Sequence, residues 1–192
     1  MISDALVFLK DQLNDYLKSG QSPDDSQEDK VVFLDGQKMD PLTFKLGAVT
    51  VLLINIEEEN TLRTSNQYQR LAPNGARQSV QPEIRLNLYV LFVARFSQYE
   101  DSLLYLSRII QHFQKNRVLN HTNAPKLSDN IDQLILELTT LPFSEQNEVW
   151  NALRVTYHPS VLYRVKMVVF RDEDVVEAPG VAEKVLRAEL TT

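Results

Sequence analysis

IRLNLYVLFVARFSQYEDSLLYLSRIIQHFQ, residues 84–114, holds the two patterns that decide the fold. In its first half Ile84, Leu86, Leu88, Val90, Phe92, Ala94 and Phe96 recur at every second position, and Leu91 and Val93 add apolar bulk between them. Successive side chains of a strand point to opposite faces, so the spacing predicts a strand over 84–96 with one apolar face, Leu91 and Val93 thickening the other. In the second half Ser97 stands three residues before Glu100, the pattern of a capping box, and opens a helix predicted over 98–116. Tyr99, Leu103, Leu106, Ile110 and Phe113 alternate spacings of four and three along it, which predicts one apolar face.

Working outward, Ile2, Leu6, Leu9, Leu13 and Tyr16 repeat that four–three spacing near the start of the chain. They predict a first helix over 2–19 with Ser3 or Asp4 near its cap and Gly20 as its stop. The polar, acidic run 21–30 reads as a solvated loop. VVFLDGQKMDPLTFKL, 31–46, reads as a short strand, an Asp35-Gly36 turn and a return segment, and 46–59 as a central strand ending in three glutamates. Residues 60–83 are nearly devoid of large aliphatics and read as a long structureless loop bearing Arg63, Arg70 and Arg77, seven residues apart. Beyond the second helix, 131–141 and 161–170 read as strands, with a short helix over 144–153 capped by Ser144 between them. The fold class expected is α+β, a single-layer sheet of five or six strands flanked by three helices, spanning 1–170. An acid-rich tail over 171–192 follows.

Composition narrows the function. The 192 residues carry 20 Lys and Arg against 26 Asp and Glu, a formal net charge of −6, which argues against nucleic acid or an anionic membrane as the main partner. There is no cysteine, so disulfides, thiolate metal sites and a thiol nucleophile are excluded. The N-terminal stretch lacks the basic start and continuous apolar core of a signal peptide, and no run reaches the roughly 18–20 apolar residues of a membrane span; synthesis in the cytoplasm is the expectation. The five glycines form no phosphate-cradling motif.

The remaining chemistry sits in Tyr157-His158-Pro159-Ser160. A Ser-His-Asp hydrolase would need a nucleophile elbow and an oxyanion loop, and neither is present. Proline instead fixes its own φ and holds His158 extended, the geometry of a hinge between a helix and a strand. In that reading Trp150, Tyr157, Pro159 and Tyr163 form a structural corner. Glu57, Glu58 and Glu59 alternate faces along a strand, so they do not converge on a cation. His112 and His121 lack metal-ligand spacing. Neither a cofactor nor a metal is expected. Arg63, Arg70 and Arg77 could pair with carboxylates of a neighbouring subunit or simply keep a loop solvated.

Several blocks in order carry a further reading: MISDALVFLKDQLNDYL, VTVLLINIEEENTLR, LNLYVLFVARFSQYEDSLLYLSRIIQHFQ and LILELTTLPFSEQNEVWNALRVTYHPSVLYRVKMV. Together they resemble the tail-cap, or tail-terminator, proteins of phage-tail-like contractile injection systems, over about residues 1–170. The resemblance implies a homo-oligomeric ring, typically a hexamer, on the tail end away from the baseplate. There it would stop polymerisation of the inner tube and the contractile sheath, with no catalytic residues. Partners would be other copies, the tube and the sheath, in a particle that is released or anchored. An adaptor or chaperone of the same particle is the alternative. The arginine-bearing loop and the acidic tail match no pattern of that family residue by residue, so contacts through Glu57, Glu58, Glu59, Arg63, Arg70 and Arg77 are inferred from their chemistry alone.

Overall fold

The computed structural model describes residues 2–19, 28–36, 42–59, 69–71, 77–79 and 85–168. Two compact units divide the chain, one of residues 1–61 and 84–170 and the other of 62–83 and 171–192. In the first unit the elements run α1 (Ile2–Lys18), β1 (Val31–Phe33), β2 (Ala48–Glu58), then β5 (Arg85–Arg95), α2 (Tyr99–Lys115), β6 (Val118–Asn120), β7 (Gln133–Thr139), α3 (Phe143–Leu153) and β8 (Ser160–Val168). In the second lies a hairpin of β3 (Gln69–Leu71) and β4 (Arg77–Ser79).

The strands of the first unit form one six-stranded sheet in the order β1-β2-β5-β8-β7-β6. Only β1 and β2 run parallel; every other pair is antiparallel. The expected α+β class with three helices on one sheet is what the chain adopts. β5 occupies an inner position because its alternating residues suit two covered faces. Leu88, Val90, Phe92 and Ala94 join the core beneath α1 and α2, whereas Leu91 and Val93 join a second core beneath α3. The larger core centres on Phe92, which packs tilted against Phe113 at 5.7 Å and edge-on against Tyr163 at 6.0 Å between ring centroids.

α2 departs from the expected face. Tyr99 and Leu103 are 64% and 44% exposed, and the buried residues are Ser102, Tyr105, Leu106, Ile109, His112 and Phe113. Leu103, Leu104, Tyr105 and Leu106 are consecutive, so apolar side chains cover more than half the helix circumference and two stripes compete. The stripe that wins stacks Tyr105 on Phe96, with ring centroids 4.4 Å apart and planes at 6°. Helix starts also move. Gln98 rather than Ser97 occupies the N-cap of α2, and Pro142 rather than Ser144 that of α3, neither with a side-chain cap bond. Ser3 and Asp4 fall inside the first turn of α1, while Gly20 lies outside the described residues. α3 ends on Arg154, held left-handed at φ 54°.

The expectation of a structureless 60–83 is corrected by the β3–β4 hairpin, in which Arg70 pairs with Gln78 and Leu71 with Arg77. The missed signal is Asn74-Gly75 between the two short strands, a dipeptide that favours tight hairpin turns.

Both edges of the large sheet are closed by asparagine side chains. On β1, Asn14 of α1 accepts from the Val31 N–H through Oδ1 and donates to the Val31 carbonyl through Nδ2, both at 2.9 Å. On β6, Asn123 accepts from the Asn120 N–H at 2.9 Å and donates to the Val118 carbonyl at 2.8 Å. An edge strand presents unpaired N–H and C=O groups that invite another chain, and these side chains occupy some of them.

α1 meets α2 at His112, which is buried with its ring 4.5 Å from that of Tyr16. Burial, and secondarily the Lys115 ammonium, lower its pKa from the ordinary 6.5. The folded state therefore binds fewer protons than the unfolded chain below pH 6.5. Stability is expected to be full above that value and to fall as pH drops toward the lowered folded pKa, by at most about 1.4 kcal/mol per pH unit. Urea midpoints of His112→Phe and wild type across pH 5–7 check this; parallel pH profiles would refute it.

Candidate functional site

The sheet face that carries α3 is only partly covered, and beyond the helix it bears a polar strip. A β-bulge between Leu53 and Asn55 inserts Ile54 as an extra residue in β2. The extra residue exchanges the faces of everything after it. Asn55, Glu57 and Glu59 turn toward Tyr89 and Asn87 of β5, and Glu58 turns to the other face. Glu57 accepts from the Tyr89 hydroxyl at 2.9 Å, and Glu59 accepts from Asn87 Nδ2 at 3.1 Å. Burial first, and then the Glu57 carboxylate, push the Tyr89 hydroxyl pKa up.

Across the strip Glu137 of β7 gathers three cations. Its Oε2 accepts from Arg164 Nε at 3.0 Å and Nη2 at 2.6 Å, and its Oε1 lies 2.9 Å from Lys166 Nζ and 3.7 Å from Arg117 Nη2. The Lys166 ammonium foremost, and then Arg164, hold the Glu137 carboxyl below its ordinary range. In return Glu137 raises the Arg164 guanidinium. The strip thus has a carboxylate-rich end on β2 and a cation-rich end where Arg164 and Lys166 of β8 and Arg117 gather on Glu137 of β7.

A corner joins α3 to β8, and one of the four residues expected there lies elsewhere. Trp150 of α3 is buried, edge-on to Tyr157 at 5.5 Å and near-parallel to His158 at 6.1 Å and 26°. The Pro159 carbonyl accepts from the Ala94 N–H at 2.9 Å, which ties the corner to β5 just before β8 begins. Tyr163 is not part of it. Three residues into β8 its side chain lies on the opposite face, edge-on to Phe113 at 5.0 Å, where burial raises its pKa to about 12. Its place in the cluster is taken by Phe44, which meets Trp150 at 6.2 Å and His158 at 5.4 Å. Nothing local in the sequence marks Phe44, because the contact spans more than a hundred residues. His158 Nδ1–H donates to the Thr156 carbonyl at 2.8 Å, and the ring is packed among aromatics, so it is engaged structurally. Ser160 enters β8 opposite Val93.

Of the arginines singled out, Arg70 lies on β3 and Arg77 on β4, while Arg63 lies outside the described residues. Among the described residues no group of three or more His, Cys, Asp or Glu side chains could hold a metal ion. No described helix is long and apolar enough to cross a membrane.

This architecture agrees with a family match. Residues 6–184 fit the model described as the Pvc16 N-terminal domain. The chain belongs to that family. A solved structure described as the sheath/tube terminator of PVC, an extracellular contractile injection system, in its extended state shares the fold of this Pvc16 N-terminal domain. The match has a TM-score of 0.63 and 14% identity over 100% of this chain and 65% of the other. A structure described as the tube-terminating cap of the anti-feeding prophage matches at TM-score 0.49 and 16% identity, over 74% of this chain and 48% of that one. The chain thus spans less than two thirds of the length of either protein. No curated protein matches it. The tail-terminator resemblance carried by the sequence blocks agrees with the family match.

Proposed function

We propose that this Pvc16 N-terminal domain is a subunit of a cap at the baseplate-distal end of a contractile injection particle, where it ends growth of the inner tube and sheath. Family membership over residues 6–184 carries the reading, and the fold shared with a protein described as a sheath/tube terminator supports it. In this reading the subunit performs no catalysis and takes no cofactor. It is made in the cytoplasm and joins a ring of identical copies, a hexamer, that contacts tube and sheath. A head-to-tail interface gives a ring only when the rotation per subunit closes. Contacts to the neighbour or the sheath are assigned to Glu57, Glu58 and Glu59 at the end of β2 and to the segment bearing Arg63, Arg70 and Arg77.

The local geometry allows a direct test. Glu59 N–H donates to the Arg85 carbonyl at 2.8 Å, so the flanks of the segment are held side by side in the sheet. Deleting 62–80 leaves a short connection between adjacent antiparallel strands, which the fold tolerates because loop-closure cost changes slowly with length. The shortened protein is expected to keep its far-UV circular dichroism and thermal transition but to form no rings under negative-stain microscopy. Rings of normal size after the deletion would remove the segment from the interface. A wild-type protein that stays monomeric at every concentration would favour an adaptor over a cap.

A further inference from the structure

We propose that a cavity between the start of β2 and the end of β5 binds a carboxylate carried on an apolar body, with Thr50 and Arg95 as its donors. The cavity, about 500 Å³, is lined by residues 32–35, by 43–46, and by Thr50 and Arg95. Strand alternation places both donors there. Leu91 and Val93 of β5 belong to the smaller core, and Arg95, two positions on, lies on the same face. Thr50 of β2 pairs with Val93, so it is a diagonal neighbour of Arg95 on that face. Diagonal neighbours stand about 7–8 Å apart at their backbones, a gap that one carboxylate bridges.

Both donors have capacity to spare. Thr50 is 1% exposed, yet its buried Oγ1 has no hydrogen-bond partner among the described residues. A hydroxyl buried without a partner costs stability, and an acceptor brought by a ligand accounts for it. Arg95 carries five N–H donors. Its Nη1 donates to the Phe44 carbonyl at 2.6 Å, and no carboxylate pairs with it among the described residues. The other polar liners are engaged. Lys45 pairs with Glu28 at 2.7 Å, and Asp35 and Thr43 have partners of their own.

Charge and shape name the ligand class. Lys45 and Arg95 against Asp35 leave one positive charge in surplus, which suits a monoanion better than a phosphate dianion. A guanidinium donates two parallel bonds to a planar carboxylate. The remaining walls are apolar, and two of them, Phe33 and Leu46, are 39% and 56% exposed, which leaves them open to cover an apolar body. An acid of this kind is either a free small molecule or the C-terminal end of another chain, and the two share this chemistry. The site stands independently of the cap reading.

Isothermal titration of the full-length chain with phenylacetate, and with acetyl-Ala-Phe bearing a free C-terminus, is the test, each acid run against its amide. At least one acid is expected to bind at millimolar concentration or below, and its amide at least tenfold more weakly. The tighter of the two acids tells a free molecule from a chain end. Thr50→Val keeps the shape of the side chain and removes the hydroxyl. It is expected to raise the urea midpoint, because no buried hydroxyl is left unpaired, while weakening the acid about tenfold. Arg95→Lys keeps the charge and a donor for the Phe44 carbonyl but loses the fork. It should weaken binding at least tenfold with the thermal transition kept. Neither acid binding, acid and amide binding alike, inorganic phosphate binding more tightly than both acids, or Thr50→Val leaving the affinity unchanged overturns the inference.

Discussion

Replacing Trp150 by alanine is expected to lower the unfolding free energy by about 3–5 kcal/mol. Trp150 is the one residue of α3 that is buried, and it is the largest member of the smaller core with Phe44, Leu91, Val93 and Leu162. Its loss leaves a cavity rimmed by Phe44, Tyr157 and His158, whose three edge-on or stacked contacts all converge on the indole. A core this small has few neighbours able to collapse into the void. Because Trp150 is also the only tryptophan, the comparison is best followed by urea unfolding with far-UV circular dichroism. The α1–α2 face should keep its order, so a lower midpoint with most helical signal retained is the expected form of the result. A change below about 1 kcal/mol would show that α3 is held by something other than this side chain.

A second large effect is expected at Asn14. Asn14→Leu keeps the volume but removes both bonds to Val31, leaving a buried N–H and a buried carbonyl without partners at the edge of the sheet. Each orphaned group costs about 1–3 kcal/mol, so a loss of about 2–4 kcal/mol is expected by denaturant titration. Amide exchange at Val31 should accelerate by more than that at Val49 on the inner strand beside it. A variant as stable as wild type, with Val31 still protected, would mean that the edge is satisfied in another way. Asn14 was invisible as a functional position in the sequence because it lies on the buried side of an otherwise apolar helical face, where one polar residue reads as noise.

Local patterns were read well where one period dominated. β5 came within a residue at each end, and β2, β7, β8 and all three helices were found to within two residues at either end. Errors arose where two solutions competed. In α2 the apolar arc was wide enough for two faces, and only contact with Phe96, Phe92 and Tyr16 chose between them. Helix caps moved because the chain's exit from a strand sets where the first turn can start, whatever side chain stands nearby. In the β3–β4 hairpin a polar composition typical of loops outweighs the one local turn signal, Asn74-Gly75.

Taken alone, the sequence determined the three helices, the four longer strands, their order and the family, because each depends on neighbours a few residues apart or on blocks in order. Tertiary structure decided which way those elements face. The bulge at Ile54 turned Glu57 and Glu59 toward Asn87 and Tyr89, the alternation of β8 sent Tyr163 away from the corner, and Phe44 arrived from a distant segment to fill its place. Periodicity states which side chains share a side. Which side is buried follows from the free energy of covering it with partners far along the chain, and that comparison exists only once the chain is folded.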